Sequence, residues 1–317
     1  MKVIILSAGA DTGGVGHQLA LALNRVPGVE ALDACRSTNY IDYPRGLLWP
    51  LGDPVPPELA DFAARADVLH VMESWDACRW IAGWQDRPLV LHHHGSILRA
   101  NHGMLTRSAR EVRAVTVVST PDLQLIDPGA EWLPNPVDIA AMMRRRFPGD
   151  PNPVFTVVHT PTNRAYKSTD LAAAAARAAG VALDLVERST WEESLARKAR
   201  ADAVFDQLRS GYGLSGLEAM AMGLPVIGGA LDPDLAALGV PGGTHLLERL
   251  ASLWGYLPFL AATEATLADR MAELRDDPDL AQQTARAGVY HANRWHDSAK
   301  VAAQLVQVYR RAIEAKR

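Results

Sequence analysis

The stretch GYGLSGLEAMAMGLPVI, residues 211–227, decides the fold and most of what the sequence indicates about function. A glycine-rich turn opens it, an apolar helical run follows over residues 214–222, and Gly223 stops the helix before a strand at 225–227. A helix that starts at a glycine loop offers unpaired backbone N–H groups and the positive end of its dipole, which together form a site for a phosphate or diphosphate. Glu218 lies about one turn into the helix, where it can accept hydrogen bonds from a ribose diol. A capped helix with a solvated glutamate is the alternative interpretation.

Short apolar strands alternate with longer helices on both sides of this stretch. We predict strands at residues 3–6, 68–72, 88–92, 115–119, 131–133, 154–158, 181–186 and 203–205, and helices at 17–24, 169–179 and 192–200. Continuous apolar strands that alternate with helices are typical of parallel sheets covered on both faces. The fold class is therefore α/β.

A cluster of arginines, prolines and a glycine at residues 144–153 interrupts this alternation, and such a composition favours a linker. We predict a first domain over residues 1–140, a linker over 141–152 and a second domain over 153–298. Ligands of open parallel sheets bind beyond the carboxyl ends of the strands, and a cleft between two domains is a common ligand site. The organisation suggests a two-domain enzyme that closes on its substrate.

Composition excludes several classes of protein. The 317 residues carry a formal net charge of −4, with 48% hydrophobic and 21% charged residues, as in an ordinary globular protein. No apolar run reaches the roughly 20 residues of a membrane span, and the N-terminus has no signal-peptide pattern. Only Cys35 and Cys78 are present, so we expect a cytoplasmic protein with no disulfide framework and no zinc site.

Two cations lie between a predicted strand and a predicted helix. Arg164 and Lys167 follow the strand at 154–158 and precede the helix at 169–179, so they face the same edge as the glycine loop. Arginine can grip a phosphate with two donors, and lysine acts as a compact point charge. Cations at a helix start oppose the helix dipole, which favours a ligand role over that of two exposed surface cations.

These segments, in this order, resemble the signature of the nucleotide-sugar glycosyltransferases of GT-B fold, the retaining family 4 or "group 1" type. Residues 217–227 match the family pattern Leu-Glu-Ala-Met-Ala-x-Gly-x-Pro-Val-Ile position by position. Segments 13–16, 132–138 and 159–170 also resemble family segments, and 295–298 precede a final helix as in the family. The resemblance implies two Rossmann-like domains whose parallel sheets face a central cleft, with a C-terminal helix at about 299–317 packing back onto the first domain.

The resemblance also implies roles for individual residues. Glu218 would hold the donor's ribose, and Arg164 and Lys167 would neutralise the leaving diphosphate. His94 closes the strand at 88–92 and would hydrogen-bond to the donor sugar, with His93 the second choice. The backbone contacts to the donor would come from Gly14, Gly213, Leu214 and Ser215. His92 and His94 share a strand face, but no third ligand accompanies them, so we predict no metal site.

The acceptor is expected to be read by the first domain. Arg99 and Asn101 follow the histidine strand, and His93 lies in that strand; these three are the acceptor-side candidates. Between residues 96 and 115, four arginines accompany a single acid, Glu111. Such a patch would suit an anionic acceptor such as a phospholipid head group, a sugar phosphate or a hydroxylated DNA base. A solvated basic helix is the alternative, and the acidic net charge argues against coating nucleic acid through charge alone.

The sequence departs from the family at Ser210, where the family usually carries a second glutamate, eight positions before Glu218. This departure leaves the sugar open, and also whether the anomeric configuration is retained or inverted. Asp206 is either a substitute for that glutamate or a buried strand-end residue that orders the loop. The Asp-x-Asp patterns at 232–234 and 277–279 are interpreted as proline turns rather than metal ligands.

The predicted activity is transfer of a sugar from a nucleoside-diphosphate sugar, most often of UDP or GDP, to an acceptor hydroxyl, without an essential metal or cofactor. Two alternatives stay open. A nucleotide-sugar epimerase or hydrolase would need paired carboxylates in the first domain, for which Glu73 and Glu111 are candidates. A non-catalytic nucleotide-sugar binding module is the other, suggested by Ser210. The nucleobase, the sugar, the acceptor and the oligomeric state are not specified by the sequence.

Overall fold

The computed structural model describes residues 1–146, 153–209, 211–229 and 244–317. Three features of the sequence lie outside these described residues: positions 147–152 of the predicted linker, Ser210, and the Asp-Pro-Asp sequence at 232–234, for which we predicted a proline turn. Packing divides the chain into two compact units, one of Met1–Asn39, Tyr43–Pro136 and Ser298–Arg317, the other of Tyr40–Asp42 and Val137–Asp297.

The first unit is built on a parallel sheet of seven described strands. They are β1 (Lys2–Ala10), β2 (Glu30–Ser37), β3 (Leu47–Leu48), β4 (Val68–Met72), β5 (Leu89–His93), β6 (Val115–Val118) and β7 (Glu131–Trp132), in the order β3-β2-β1-β4-β5-β6-β7. Its described α-helices, numbered along the whole chain, are α1 (Val15–Leu23), α2 (Pro57–Arg65), α3 (Ser96–Glu111) and α11 (Ser298–Glu314). All five residues of β4 and of β5 are buried, as expected for strands covered on both faces.

The second unit has a smaller parallel sheet of five described strands. They are β8 (Thr156–His159), β9 (Ala182–Leu185), β10 (Ala203–Gln207), β11 (Val226–Gly228) and β12 (Leu260–Ala261), in the order β12-β11-β10-β8-β9. The described helices are α4 (Ile139–Arg145), α5 (Thr169–Ala179), α6 (Trp191–Arg200), α7 (Leu214–Met222), α8 (Thr244–Trp254), α9 (Leu267–Asp276) and α10 (Pro278–His291). A π-helical turn, Ala292–His296, follows α10.

Local capping sets several helix ends in this unit. Gly180 and Gly223 end α5 and α7 in the left-handed conformation, with φ of 66° and 79°. Thr190 caps α6 by accepting from Glu193 N at 3.1 Å. Asp277 caps α10 by accepting from Leu280 N at 2.9 Å, with Pro278 at the first helical position. The Asp-Pro-Asp sequence at 277–279 is therefore a helix start.

The final helix, α11, is amphipathic and covers the first sheet. Val301, Leu305 and Val308 lie on its fully buried side, and Tyr309 is buried with them. Apolar residues at this spacing form one stripe along a helix, which packs on β4 and β5. Within the part of the chain that the structure describes, no helix combines the length and apolarity needed to cross a bilayer.

One strand of the first sheet has no clear sequence signal. β2 has the sequence EALDACRS and carries Asp33 in its interior. The Asp33 carboxylate is satisfied locally, since it accepts from Gly46 N at 2.7 Å and lies 3.1 Å from His17 Nδ1. The continuous apolar run that identifies a buried strand is interrupted in β2, because the buried acid Asp33 stands where an apolar residue would be expected. The short strands β3 and β12 and the helices α2, α4, α8, α9 and α10 were likewise not predicted from the sequence.

Each sheet reverses its strand order at one point, and these points locate the sites. The chain passes from β1 outward to β3 and then returns to β4 on the other side of β1. In the second unit it passes from β8 to β9 and then returns to β10 on the other side of β8. Ligands of such sheets bind at the carboxyl ends of the strands beside this switch point. The candidate regions are therefore the strand ends at β1/β4 and at β8/β10.

Helix α10 packs closely on α7, and this contact helps to hold α7 at the β8/β10 strand ends. A Cβ on Gly288 of α10 would lie 2.9 Å from Cγ and 3.4 Å from Cα of Met220 on α7. We predict that Gly288→Ala lowers the free energy of unfolding by about 1–3 kcal/mol, because the two helices must separate. The matched change Gly103→Ala in α3 meets no atom within 4 Å. It should raise stability by roughly 0.5–1 kcal/mol. Urea denaturation measures both, and equal shifts would contradict the packing argument.

Candidate functional site

The start of α7 lies against the carboxyl ends of β8 and β10. Gly213 precedes the helix, and its backbone N–H donates to the carboxylate of Asp206 in β10. Inside the first turn the Ser215 hydroxyl hydrogen-bonds to the hydroxyl of Thr160, which follows β8. Leu214, between them, is half-buried. The three residues predicted to contact the diphosphate are thus brought together at the switch point of the second sheet.

A buried ion pair lies directly beneath this turn. Lys167 Nζ donates to Asp206 Oδ1 at 2.8 Å, and the two residues are 9% and 2% exposed. Burial alone would raise the pKa of the Asp206 carboxyl, but the Lys167 ammonium and the hydrogen bonds from Lys167 and Gly213 hold it below its usual range. The contacts of Asp206 are those of a residue that orders the loop. The charge of Lys167 is already balanced by it.

The glycines of the motif make room for this pair. A Cβ on Gly213 would lie 3.0 Å from Lys167 Nζ, and one on Gly216 would lie 2.7 Å from Asp206 Oδ2. Neither position has the left-handed backbone that by itself demands glycine. The requirement for glycine at these two positions therefore comes from the close approach of the loop to a buried carboxylate and ammonium.

Glu218 is buried one turn into α7 and is held by two donors. Lys198 Nζ of α6, which is fully buried, donates to Oε2 at 2.5 Å, and Trp191 Nε1 donates to Oε1 at 2.6 Å. A carboxylate offers about four lone-pair positions, so about two are left for other donors. The alternative of a solvated glutamate does not describe this side chain, because Glu218 is 2% exposed.

The two predicted cations have different environments. The Arg164 side chain is 52% exposed and pairs with Glu187 at 2.7 Å and Asp170 at 3.1 Å. The hydrogen bond that Arg164 donates to Asp170 and the nearby charge of Glu187 raise the pKa of Arg164. Lys167, in contrast, lies under the loop. The structure therefore brings Lys167 to the start of α7 and places Arg164 in a surface network of two acids.

Arg209 is a candidate that sequence reasoning missed. It follows the carboxyl end of β10 and lies over the ring of Tyr166, with its guanidinium carbon 5.1 Å from the ring centroid. It is half-buried and makes no ion pair with any residue that the structure describes. Its position directly after a strand of the switch point was the available signal.

Three polar residues lie at the ends of adjacent strands in the first sheet: Glu73 after β4, His94 after β5 and Ser119 after β6. Glu73 has φ of +66°, a strained conformation for a residue with a side chain. Its Oε1 accepts from His94 N at 2.8 Å, and its Oε2 is buried 3.9 Å from His93 Nδ1. Burial would raise the pKa of Glu73, but His93 and His94 hold it below its usual range.

His94 presents one unused nitrogen. Its Nδ1 lies 2.6 Å from Ser119 Oγ, while its Nε2 is buried and has no hydrogen-bond partner among the described residues. Burial lowers the pKa of His94 to about 4, so the ring is neutral at pH 7. A buried polar atom without a partner is costly, and at a strand end it is suited to a ligand.

The other residues predicted in the first domain have contacts within it, and their ligand contacts stay predictions. Gly14 is left-handed, with φ of +72°, and a Cβ there would lie 3.1 Å from Tyr43 Cβ. His93 is buried on the opposite strand face beside Glu73. The Arg99 guanidinium is buried and lies 2.5 Å from Asp122. Asn101 is exposed and donates to the carbonyl of Ile97 at 3.2 Å.

Helix α3 carries Arg107 and Arg110 in its second half. The helix starts directly after the histidine strand and is interrupted at Asn101, whose backbone is not helical (φ −135°, ψ 21°). Both arginines follow this interruption, and Arg113 lies beyond the end of the helix. Among the residues that the structure describes, no three His, Cys, Asp or Glu side chains form a group that could hold a metal ion.

The buried Lys198–Glu218 pair allows a test of how the start of α7 is held. We predict that Lys198→Met lowers the free energy of unfolding by about 3–5 kcal/mol, because it leaves a buried carboxylate uncompensated. The double variant Lys198→Met, Glu218→Gln keeps an acceptor for Trp191 and removes the buried charge, so it should regain most of the loss. Thermal and urea denaturation measure both variants, and equal losses in the single and double variants would be evidence against the pair.

Comparisons with known proteins bear on the fold. No protein-family model matches the chain, and no curated protein sequence matches it. Solved structures do match. An alpha-glucosyltransferase in complex with UDP and a 13-mer DNA containing an A:G mismatch has a TM-score of 0.65 at 12% identity, covering 98% of this chain and 100% of its own. Anabaena HepE in complex with UDP-glucose has a TM-score of 0.64 at 15% identity, covering 98% and 100%.

A third match, to a putative UDP-N-acetylglucosamine 2-epimerase from Listeria monocytogenes, has a TM-score of 0.55 at 14% identity and covers 99% of this chain and 96% of its own. The predicted α/β class and the two parallel sheets are confirmed by the structure and by these neighbours. The chain therefore has a GT-B fold.

Proposed function

We propose that this chain transfers a sugar from a nucleoside-diphosphate sugar, with UDP as the nucleotide, to an acceptor hydroxyl. The observation that carries the proposal is the glycine turn at the start of α7, held at the β8/β10 switch point with Glu218 buried one turn behind it. The neighbours in complex with UDP and with UDP-glucose support UDP over GDP.

The diphosphate is proposed to bind at the N-terminus of α7. The backbone N–H groups of Leu214 and Ser215 lie in the first turn, which has no intrahelical acceptor for them, and the helix dipole favours an anion there. Arg209 adds a guanidinium that no described carboxylate neutralises. Lys167 adds positive potential from below the loop, shared with Asp206. Arg164 would reach the phosphates only by leaving its acidic partners.

The ribose is proposed to bind at Glu218. Lys198 donates to one lone pair of Oε2, and Trp191 donates to one lone pair of Oε1. Each oxygen therefore keeps about one lone pair, and the carboxylate can still accept from two vicinal hydroxyls. A pre-positioned carboxylate of this kind loses little rotamer entropy on binding, because both of its oxygens are already held.

The proposed chemistry needs no side-chain nucleophile. The transition state resembles an oxocarbenium ion leaving a diphosphate, so the largest contribution is stabilisation of the leaving charge by oriented donors. We propose retention of configuration, in which the leaving phosphate oxygen takes the acceptor proton on the same face of the sugar. His94 is proposed to hydrogen-bond to the donor sugar. The anomeric configuration of the product, read by NMR, tests retention directly.

The donor site can be tested by binding. UDP should raise the melting temperature more than GDP, ADP or TDP at equal concentration, since a ligand that binds the folded state stabilises it by mass action. Arg209→Gln should weaken UDP binding at least about tenfold, the effect of losing a hydrogen bond to a charged group. The matched control Arg177→Gln removes an exposed arginine at the last turn of α5, at the opposite edge of the sheet. It should leave UDP binding unchanged.

If neither UDP nor any other nucleoside diphosphate shifts the melting temperature, the proposed donor site is wrong. If UDP binds equally to the Arg209→Gln and Arg177→Gln variants, the site exists but Arg209 has no part in it. Calorimetric titration of the same variants separates the two results.

The acceptor class is tested by turnover with labelled UDP-sugar. The panel contains a sugar phosphate, a phospholipid and DNA with a hydroxymethylated base, the three anionic classes predicted from the sequence, and a neutral sugar. One neighbour is in complex with DNA, which supports including that arm. A nucleic-acid acceptor predicts a steep loss of activity with added salt. Salt-independent transfer would favour the small acceptors.

A nucleotide-sugar epimerase or hydrolase is the second candidate, favoured by the neighbour of that description and by the buried Glu73 at the β4 strand end. Its second carboxylate, Glu111, is the last residue of α3. Among the described residues, Glu73 contacts His93 and His94 and has no contact with Glu111, which supports transfer instead. Donor consumption without an acceptor would reverse this preference. Donor binding without turnover on any acceptor would favour the non-catalytic binding module.

A further inference from the structure

A chain of five buried hydrogen-bonding groups leads from helix α11 to His94. The Tyr309 hydroxyl lies 2.8 Å from His70 Nδ1, and His70 Nε2 lies 3.1 Å from His92 Nδ1. His92 Nε2 lies 2.9 Å from Ser119 Oγ, which lies 2.6 Å from His94 Nδ1. The chain crosses β4, β5 and β6 on the face that α11 covers, and it ends at the unused Nε2 of His94.

Every imidazole in this chain is neutral at pH 7. Burial lowers the pKa of His70 to about 3 and that of His94 to about 4, and it also holds the pKa of His92 well below its usual range. Burial raises the pKa of Tyr309, so the phenol keeps its proton. A neutral imidazole carries one N–H donor and one acceptor nitrogen, and a hydroxyl has one donor. Each group therefore donates in one direction and accepts from the other, and a single choice sets the whole chain.

Two directions of donation exist. If Tyr309 donates to His70, each following group donates to the next, and His94 accepts at Nδ1 and carries its proton on Nε2. In the reverse direction His94 donates to Ser119, and His70 donates to Tyr309. The Tyr309 hydroxyl proton then has no acceptor, since His70 is the partner of this hydroxyl among the described residues.

Counting unpaired groups decides between them. The first direction leaves the Nε2–H of His94 unpaired. The reverse direction leaves both the Tyr309 O–H and the His94 Nε2 lone pair unpaired, one buried polar group more. The additional unpaired group disfavours the reverse direction about tenfold or more in population.

We propose that Tyr309, acting through His70, His92 and Ser119, holds His94 in the tautomer that carries its proton on Nε2. His94 then serves as a hydrogen-bond donor to an oxygen of the bound ligand, and it has no lone pair with which to take a proton from an acceptor. Tyr309 and Ser119 are positioning residues, since they act through His94. Only the identity of the ligand, the sugar of the nucleotide donor, rests on the proposed function.

The backbone of His94 supports the same geometry. Its N–H is held by Glu73 Oε1 at 2.8 Å, from a residue whose own backbone is strained. The side chain is thus fixed by Ser119 and the main chain by Glu73. A donor that is both oriented and of fixed tautomer needs no reorganisation when the ligand binds.

Nitrogen NMR of histidine-labelled protein tests the proposal without any ligand. Long-range ¹H–¹⁵N correlation spectra distinguish a protonated from an unprotonated ring nitrogen, and the His94→Gln variant assigns the His94 signals. The wild type should show His94 protonated at Nε2. In Tyr309→Phe each direction leaves one unpaired N–H and one unpaired nitrogen, so the two tautomers of His94 should become comparably populated.

The control for Tyr309→Phe is Tyr256→Phe. The Tyr256 hydroxyl lies 3.2 Å from Nδ1 of a different buried histidine, His291, in the second unit. This variant also removes a tyrosine hydroxyl beside a buried histidine, but one outside the chain that leads to His94. It should therefore leave His94 protonated at Nε2. Ser119→Ala breaks the chain beside His94 and should also mix the tautomers. It provides the same readout if Tyr309→Phe does not fold.

The ligand arm compares UDP with UDP-glucose. With half of the protein in the wrong tautomer, Tyr309→Phe should bind UDP-glucose about twofold more weakly and UDP equally well. UDP-glucose, and not UDP, should restore the Nε2–H form. An equal response to both ligands would assign the contact to a phosphate oxygen.

A wild-type His94 unprotonated at Nε2, or a folded Tyr309→Phe variant in which His94 carries its proton on Nε2 alone, would overturn the proposal. Failure of every nucleotide to bind would contradict the proposed function and leave the tautomer result standing.

Discussion

The buried ion pair between Lys167 and Asp206 is the constraint on which the second unit's site depends. Removing two charges from water is costly, and their attraction offsets that cost only when the remaining lone pairs and protons are also satisfied. Asp206 meets this condition by accepting the backbone N–H of Gly213. The ion pair is therefore stabilised only when the Gly213 turn lies against it and donates its N–H to Asp206. This contact fixes the start of α7 relative to β8 and β10.

The glycines of the motif follow from the same constraint. Glycine-rich turns before helices are usually explained by the approach of a phosphate. In this chain the carboxylate of Asp206 and the ammonium of Lys167 already occupy the space that side chains at 213 and 216 would need. A motif that is associated with ligand binding thus has a second cause within the protein. The loop geometry is set before any ligand arrives.

Sequence reasoning succeeded where structure is set locally. The strand at 68–72 and the helices at 169–179 and 214–222 have the predicted bounds, because glycine caps and buried apolar runs act within a few residues. It failed at β2, where tertiary partners satisfy a buried acid. It also could not separate Arg164 from Lys167. Both are cations before the same helix, and only the fold shows which of them meets a buried carboxylate.

The first unit shows the same limit more clearly. The sequence singled out His94 from its position at a strand end, but Tyr309 is 215 positions further along and was seen only as part of an amphipathic helix. A buried polar network is stabilising only when it is fully satisfied, and satisfaction is a property of three-dimensional neighbours. No spacing rule relates a phenol on the last helix to a histidine pair on two inner strands.

Taken with the proposed function, these contacts indicate how a dianionic diphosphate could be bound without an excess of positive charge. Lys167, Lys198 and Arg164 each have an acidic partner, and the whole chain is mildly acidic. The other groups proposed around the donor are the Arg209 guanidinium and two sets of oriented dipoles. The N–H groups that open α7 face the diphosphate and, by our inference, the Nε2–H of His94 faces the sugar. Dipoles fixed by the fold stabilise a developing charge without the reorganisation that water needs. Because Arg209 is the one proposed cation without a described acidic partner, the donor is favoured by geometry more than by long-range attraction, and its binding should depend only weakly on ionic strength.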